Sequence, residues 1–119
     1  VSEATDFVSA LRGIAKRAPK FIEDGQYYMT VEGRQYTVGE LQGDQGSIDR
    51  VLGAMQRFCV LQGWGFGLKT VPALRHIGAR VLIQPEIGAT IRYKATGDSS
   101  AHALSLALWD ALLQHHPRG

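Results

Sequence analysis

The stretch "GWGFGLKT", residues 63 to 70, places three glycines, two aromatics and a lysine-threonine pair in eight positions, and its reading decides the fold. As a phosphate-cradling loop it would run from a strand through glycines into a helix N-terminus, where free amides and the helix dipole hold an anion. The residues before it say otherwise. Ile48, Val51, Leu52, Met55, Phe58 and Cys59 recur at spacings of three and four, the period of an amphipathic helix, with Ser47 as N-cap and Gly63 as C-cap. A helix therefore ends at the glycines, presenting carbonyls and a partial negative charge that repels anions. Leu68 also stands between the last glycine and Lys69, where the phosphate motif needs lysine directly after glycine. What remains is a strand. Trp64, Phe66, Leu68 and Thr70 take one face, and Gly65, Gly67, Lys69 and Val71 the other, in period-two alternation.

Working outward, "RVLIQP" (80 to 85) and "ATIRYKA" (89 to 95) flank "EIG" and read as a hairpin reached through the connection "PALRHIG". Asp98 or Ser99 then caps a helix running to about His115. Leu104, Ala107, Leu108, Ala111 and Leu112 form its main stripe, and Leu106, Trp109 and Leu113 a second. So wide an apolar circumference predicts deep burial or a subunit contact, including a homodimer through this helix. Toward the N-terminus, Ala4, Phe7, Val8, Leu11, Ile14, Ala15 and Ala18 share a helical face over residues 3 to 18, with Ser2 or Thr5 as N-cap and Pro19 as terminator. "QYYMTV" and "RQYTVGEL" around "EG" predict a second hairpin, in which Tyr27, Tyr28 and Tyr36 pack across strands. "QGDQG" follows as a loop. The predicted fold class is α+β in the order α-ββ-α-βββ-α, with an antiparallel sheet. An αβββα core over 47–115 follows an N-terminal helix and hairpin over 1–43, in a single domain 1–119. Two helices lie on one face of the sheet, and the N-terminal helix at an edge or on the other face.

A chain of 119 residues is long enough to close one hydrophobic core unaided. Its 45% apolar and 20% charged content excludes intrinsic disorder and a membrane-spanning protein as classes. No apolar run approaches the roughly 20 residues that cross a bilayer, and "VSEATDFVSALRG" carries acidic residues where a signal peptide needs positive charge; a host-cell cytoplasmic location and no membrane partner are the expectations. Cys59 falls at an apolar helix position, where a thiol behaves as a small hydrophobe. The formal charge of +2 is unevenly spread: residues 61 to 119 carry six basic against three acidic residues, the first sixty seven against eight.

From residue 47 the order helix, three strands, helix resembles a double-stranded-RNA-binding domain, and "GDSSAHALSLALWDAL" is similar to that family's last helix, keeping Gly97, Ser99, Ala103, Ala107, Ala111 and Leu112. In that family lysines at the start of the helix grip phosphates. Here those positions are Asp98, Ser100, Ala101 and Leu104, which removes the charge that counterion release needs. "IDRVLGAMQRFCVLQGWGFGL" and "YKATGDSSAHALSLALWDAL" also resemble the phage ABA sandwich domain, in which an amphipathic helix leads into a short aromatic strand and a "GD" turn opens an alanine-rich helix. Ala103 to Ser105 read Ala-Leu-Ser where that family has Ala-Ile-Cys. This resemblance implies a phage or prophage origin and supplies no catalytic residues.

Chemistry-bearing residues are sparse. His76, His102, His115 and His116 lack the spacing that points two ligands together, so no metal and no cofactor are expected; His115 and His116 suit the C-terminus of the last helix as dipole caps. Asp98, Ser99, Ser100 and His102 crowd one helix start, where capping accounts for Asp98 and Ser99, and no catalytic residues are assigned. The functional expectation is a surface. If the aromatic strand face packs inward, Gly65, Gly67, Lys69, Arg80, Arg92 and Lys94 share the opposite face, basic and partly bare. The function expected is a non-catalytic interaction module binding a host or phage macromolecule, such as an inhibitor of a host defence complex. A protein partner comes ahead of nucleic acid, and an enzyme with an unrecognised site comes third.

Overall fold

The computed structural model describes residues 5–71 and 76–117. Its order is α1 (Phe7–Arg17), β1 (Ile22–Asp24), β2 (Tyr28–Val31), β3 (Arg34–Thr37), α2 (Val38–Gly43), α3 (Gln45–Gln62), β4 (Gly65–Val71), β5 (His76–Ile83), β6 (Ile91–Gly97) and α4 (Ser100–Gln114). The fold is α+β, and the strands form two separate antiparallel sheets, β1-β2-β3 and β4-β5-β6.

The helix boundaries follow from their caps. Asp6, one residue beyond the expected Thr5, accepts from the Ser9 amide and opens α1; the alternative Ser2 lies outside the described residues. Backbone pairing of Gln45 onward starts α3 at Asp44 rather than Ser47, and the Ser47 hydroxyl turns instead to the Asp44 and Glu40 carboxylates. Gly63, at φ 76°, ends α3 in the left-handed conformation that suits a residue without Cβ. Ser99 caps α4 by accepting from the His102 amide.

The β2–β3 turn takes its shape from Glu32 and Gly33, both at positive φ (54° and 81°), the requirement of a type I′ hairpin turn. Tyr36 is buried opposite Met29 in this hairpin. Tyr27 and Tyr28 are not packed across strands as expected: they are 69% and 50% exposed. Two short elements add to the anticipated order. Strand β1 pairs with β2, and "VGELQG", read as strand end and loop, is the helix α2.

Helix α4 sits at the centre. It packs against β5 and β6 on one side and α1 on the other, with α3 alongside. Its residues Ala101, Ala103 to Leu108, Ala111 and Leu112 are buried, so its main apolar stripe is filled from within the chain, while Leu113 of the second stripe is exposed. The N-terminal helix accordingly covers α4 and leaves the outer face of the second sheet uncovered. The Trp109 indole lies against Gly13, where a Cβ would stand 2.1 Å from the ring. At the C-terminus of α4, the His115 ring is 2.8 Å by Nε2 from the Tyr93 hydroxyl and meets the Trp64 ring edge-on. Its side chain thus joins α4 to β6, while His115 is also the C-cap residue, its backbone amide donating to the Ala111 carbonyl.

Candidate functional site

The outer face of the β4–β6 sheet follows from register. Gly65 pairs with Leu82, Gly67 with Arg80 and Lys69 with Gly78; across β5, Leu82 pairs with Arg92, Arg80 with Lys94 and Gly78 with Thr96. Partners in a pleated sheet project to the same side. The face is therefore three rows, Gly65-Leu82-Arg92, Gly67-Arg80-Lys94 and Lys69-Gly78-Thr96. Phe66, Val81, Ala79, Tyr93 and Ala95 turn to the core side. All six residues that the sequence assigns to a surface are brought together here, and Lys69, Arg80, Arg92 and Lys94 are exposed.

Four cations occupy nine positions with no carboxylate among them. The two ion pairs among the described residues, Arg12–Asp24 and Arg57–Glu32, involve none of the four. Like charges on neighbouring strands repel and find no neutralising partner within the face, so the face carries uncompensated positive potential.

Sequence reasoning missed Gly78, Leu82 and Thr96. Counting outward from the "EIG" loop of the second hairpin pairs Gly78 with Thr96 and Leu82 with Arg92, so the signal was present in the register. Gly67 and Gly78 play different parts. A Cβ on Gly67 would meet Arg80 Nε at 2.8 Å, so the guanidinium lies across bare backbone. On Gly78 a Cβ would meet only the Lys69 carbonyl oxygen, at 3.5 Å. The space above it is a shallow hollow of about 510 Å³ bordered by Lys69, Arg80, Lys94 and Thr96.

The cluster at the start of α4 borders a second cleft, of about 400 Å³, between α1 and α2 residues and His102. Both nitrogens of His102 are committed there: Nδ1 accepts from the Asp98 amide at 3.2 Å and Nε2 donates to the Thr5 carbonyl at 2.6 Å. Ser99 Oγ accepts from the His102 amide. The imidazole ties the start of α1 to α4, and the serine beside it is a helix cap, so no nucleophile–base pair forms. Among the described residues no three His, Cys, Asp or Glu side chains are grouped to hold a metal ion. Burial pushes the Cys59 thiol up to about 12, leaving almost no thiolate at neutral pH. No helix among the described residues is long and apolar enough to cross a membrane.

No protein-family model matches the chain, and no curated protein or solved structure matches it.

Proposed function

We propose that this protein is a non-catalytic binding module of phage or prophage origin, which docks a host or phage macromolecule stoichiometrically onto the outer face of its β4–β6 sheet. The observation that supports this reading is the face itself: four exposed cations with no carboxylate among its nine positions, on a sheet whose other side is closed by α4. Uncompensated positive charge raises the local concentration of an anionic partner and steers its approach. The origin rests on the resemblance of the α3–β4 and β6–α4 segments to the phage ABA sandwich domain. A module acting by occupancy needs no reactive group, and inhibition of a host complex is a role that such occupancy serves.

Arg92→Glu combined with Lys94→Glu tests the reading. Both side chains are exposed and take no part in the ion pairs among the described residues, so the fold should be retained. In affinity capture of the tagged protein from host lysate at low salt, macromolecules bound by the wild type should be depleted at least tenfold on the double variant. Retention of every partner by that variant would refute the sheet face as the docking surface.

A further inference from the structure

We infer that the partner of the outer sheet face is the phosphodiester backbone of a nucleic acid, with one phosphate seated in the hollow over Gly78; this deepens the docking reading above and rests on it. The hollow has the parts a phosphate needs. Lys69, Arg80 and Lys94 border it from three different strands, the Thr96 hydroxyl adds a donor, and no carboxylate opposes them. Its depth comes from Gly78, above which nothing approaches closer than the Lys69 carbonyl oxygen. Any side chain there would fill the space that the three cations border.

The remaining cation extends the hollow into a track. Arg92 stands two residues from Lys94 on β6, about 7 Å away at a rise of about 3.4 Å per residue, which is a step suited to the next phosphate along an extended strand. Lys69, Arg80, Lys94 and Arg92 thus cross the sheet diagonally from β4 to β6.

Two features favour phosphates over an acidic protein. The nine positions cover three strands about 4.8 Å apart and five residues in length, roughly 10 by 14 Å between backbones, a small part of the ~800 Å² that each partner contributes to a standard protein interface. None of the nine is aromatic, and Leu82 is the one large apolar side chain, whereas protein interfaces depend on aromatic and arginine anchors set in apolar surroundings. Phosphate contacts do not need such anchors. With no aromatic to stack on bases and the four cations engaged on phosphates, the contacts position the backbone without reading base edges, so affinity should be independent of sequence. The formal charge of +2 over the whole chain conceals this concentration of cations on one side.

Fluorescence anisotropy with a labelled oligonucleotide of about 20 nucleotides, single-stranded and as a duplex, tests the inference at about 50 mM salt, with polyglutamate of matched charge as competitor. Binding to at least one form should fall with salt at a log–log slope of about −3 for the single strand or −4 for the duplex, the value for four phosphates, and the two arms identify which form presents the backbone. Scrambling the sequence should change affinity less than twofold. Gly78→Val leaves every charge in place and should weaken binding at least tenfold; Arg92→Glu should do so as well and serves if the valine variant does not fold, which circular dichroism monitors. Wild-type affinity in folded Gly78→Val removes phosphate from the hollow. Competition by polyglutamate equal to that of unlabelled nucleic acid makes the partner an acidic protein, overturning the inference while the docking reading stands. If no polyanion binds, both fall.

Discussion

Gly13 lets α1 pack closely on α4. Its missing Cβ is replaced by the Trp109 indole, whose Cε2, Cδ2 and Cζ2 atoms all lie within 2.5 Å of where a methyl would go. A fused ring cannot yield as a flexible chain end can. Alanine normally favours a helix interior by about 1 kcal/mol over glycine, but overpacking a core costs about 1–3 kcal/mol, and here the clash wins. Gly13→Ala should lower stability by about 2 kcal/mol, seen as a reduced urea midpoint, while Gly39→Ala, exposed in α2, should be neutral or mildly stabilising. A midpoint for Gly13→Ala at or above that of the wild type would show that α1 and α4 can separate without cost. None of this was legible in the sequence: Gly13 interrupts an amphipathic pattern like any helical glycine, and its meaning depends on a tryptophan 96 positions away. Cys59 and Gly63 were legible because burial stripe and helix end are set within a few residues.

At the scale of elements, what the sequence revealed was what had length. Helices α1, α3 and α4 span three turns or more, and the hairpin turn at Glu32-Gly33 needs only two residues of fixed conformation. Strand β1 has three residues with one buried, too few to show a period. Helix α2 has six, yet its start was written in the sequence as Thr37-x-x-Glu40, a capping box. The Glu40 amide donates to Thr37 Oγ at 3.0 Å and the Thr37 amide to Glu40 Oε1 at 3.4 Å. The Ser47 hydroxyl also donates to Glu40, at 2.9 Å, so one carboxylate ties the start of α2 to the first turn of α3. Hydrogen bonds from Ser47 first, then from Thr37, hold that carboxyl below its ordinary 4.5. A depressed carboxyl adds stability above its unfolded value, lost as pH falls through the lower folded value. Thr37→Ala removes the capping hydroxyl and should cost about 1 kcal/mol near neutrality, by urea denaturation; because that hydroxyl also helps to hold the Glu40 carboxyl down, the gap to wild type should narrow without closing below about pH 4. A gap that widened in acid would exclude the carboxylate from the cap.

At the scale of the whole molecule, the two sheets share no strand pairing and are joined through side chains. Phe21, just before β1, stacks on Phe58 of α3 at 4.5 Å, Phe58 meets Trp64 edge-on, and Trp64 and Tyr93 both meet His115. This path runs from the first sheet through α3 and α4 to the second, and the buried residues of both sheets belong to one continuous core. The sequence could not reveal the split into two sheets, because pairing partners distant in the chain leave no local period. It did reveal the alternation of β4 and β6, so six of the nine positions of the outer face were read from it, while the exposure of that face depended on where α1 packs. A single core predicts a single unfolding transition. Cys59 supplies a probe: fully buried in α3, with its thiol pushed up to about 12 by burial, it should react with a disulfide reagent at pH 8 only as the molecule opens. Thiol modification, tryptophan fluorescence from Trp64 and Trp109, and far-ultraviolet circular dichroism should then share one urea midpoint. Thiol reactivity at lower urea than the loss of dichroism would instead divide the molecule at α3, leaving the α4-backed sheet and its basic face as a separately stable unit.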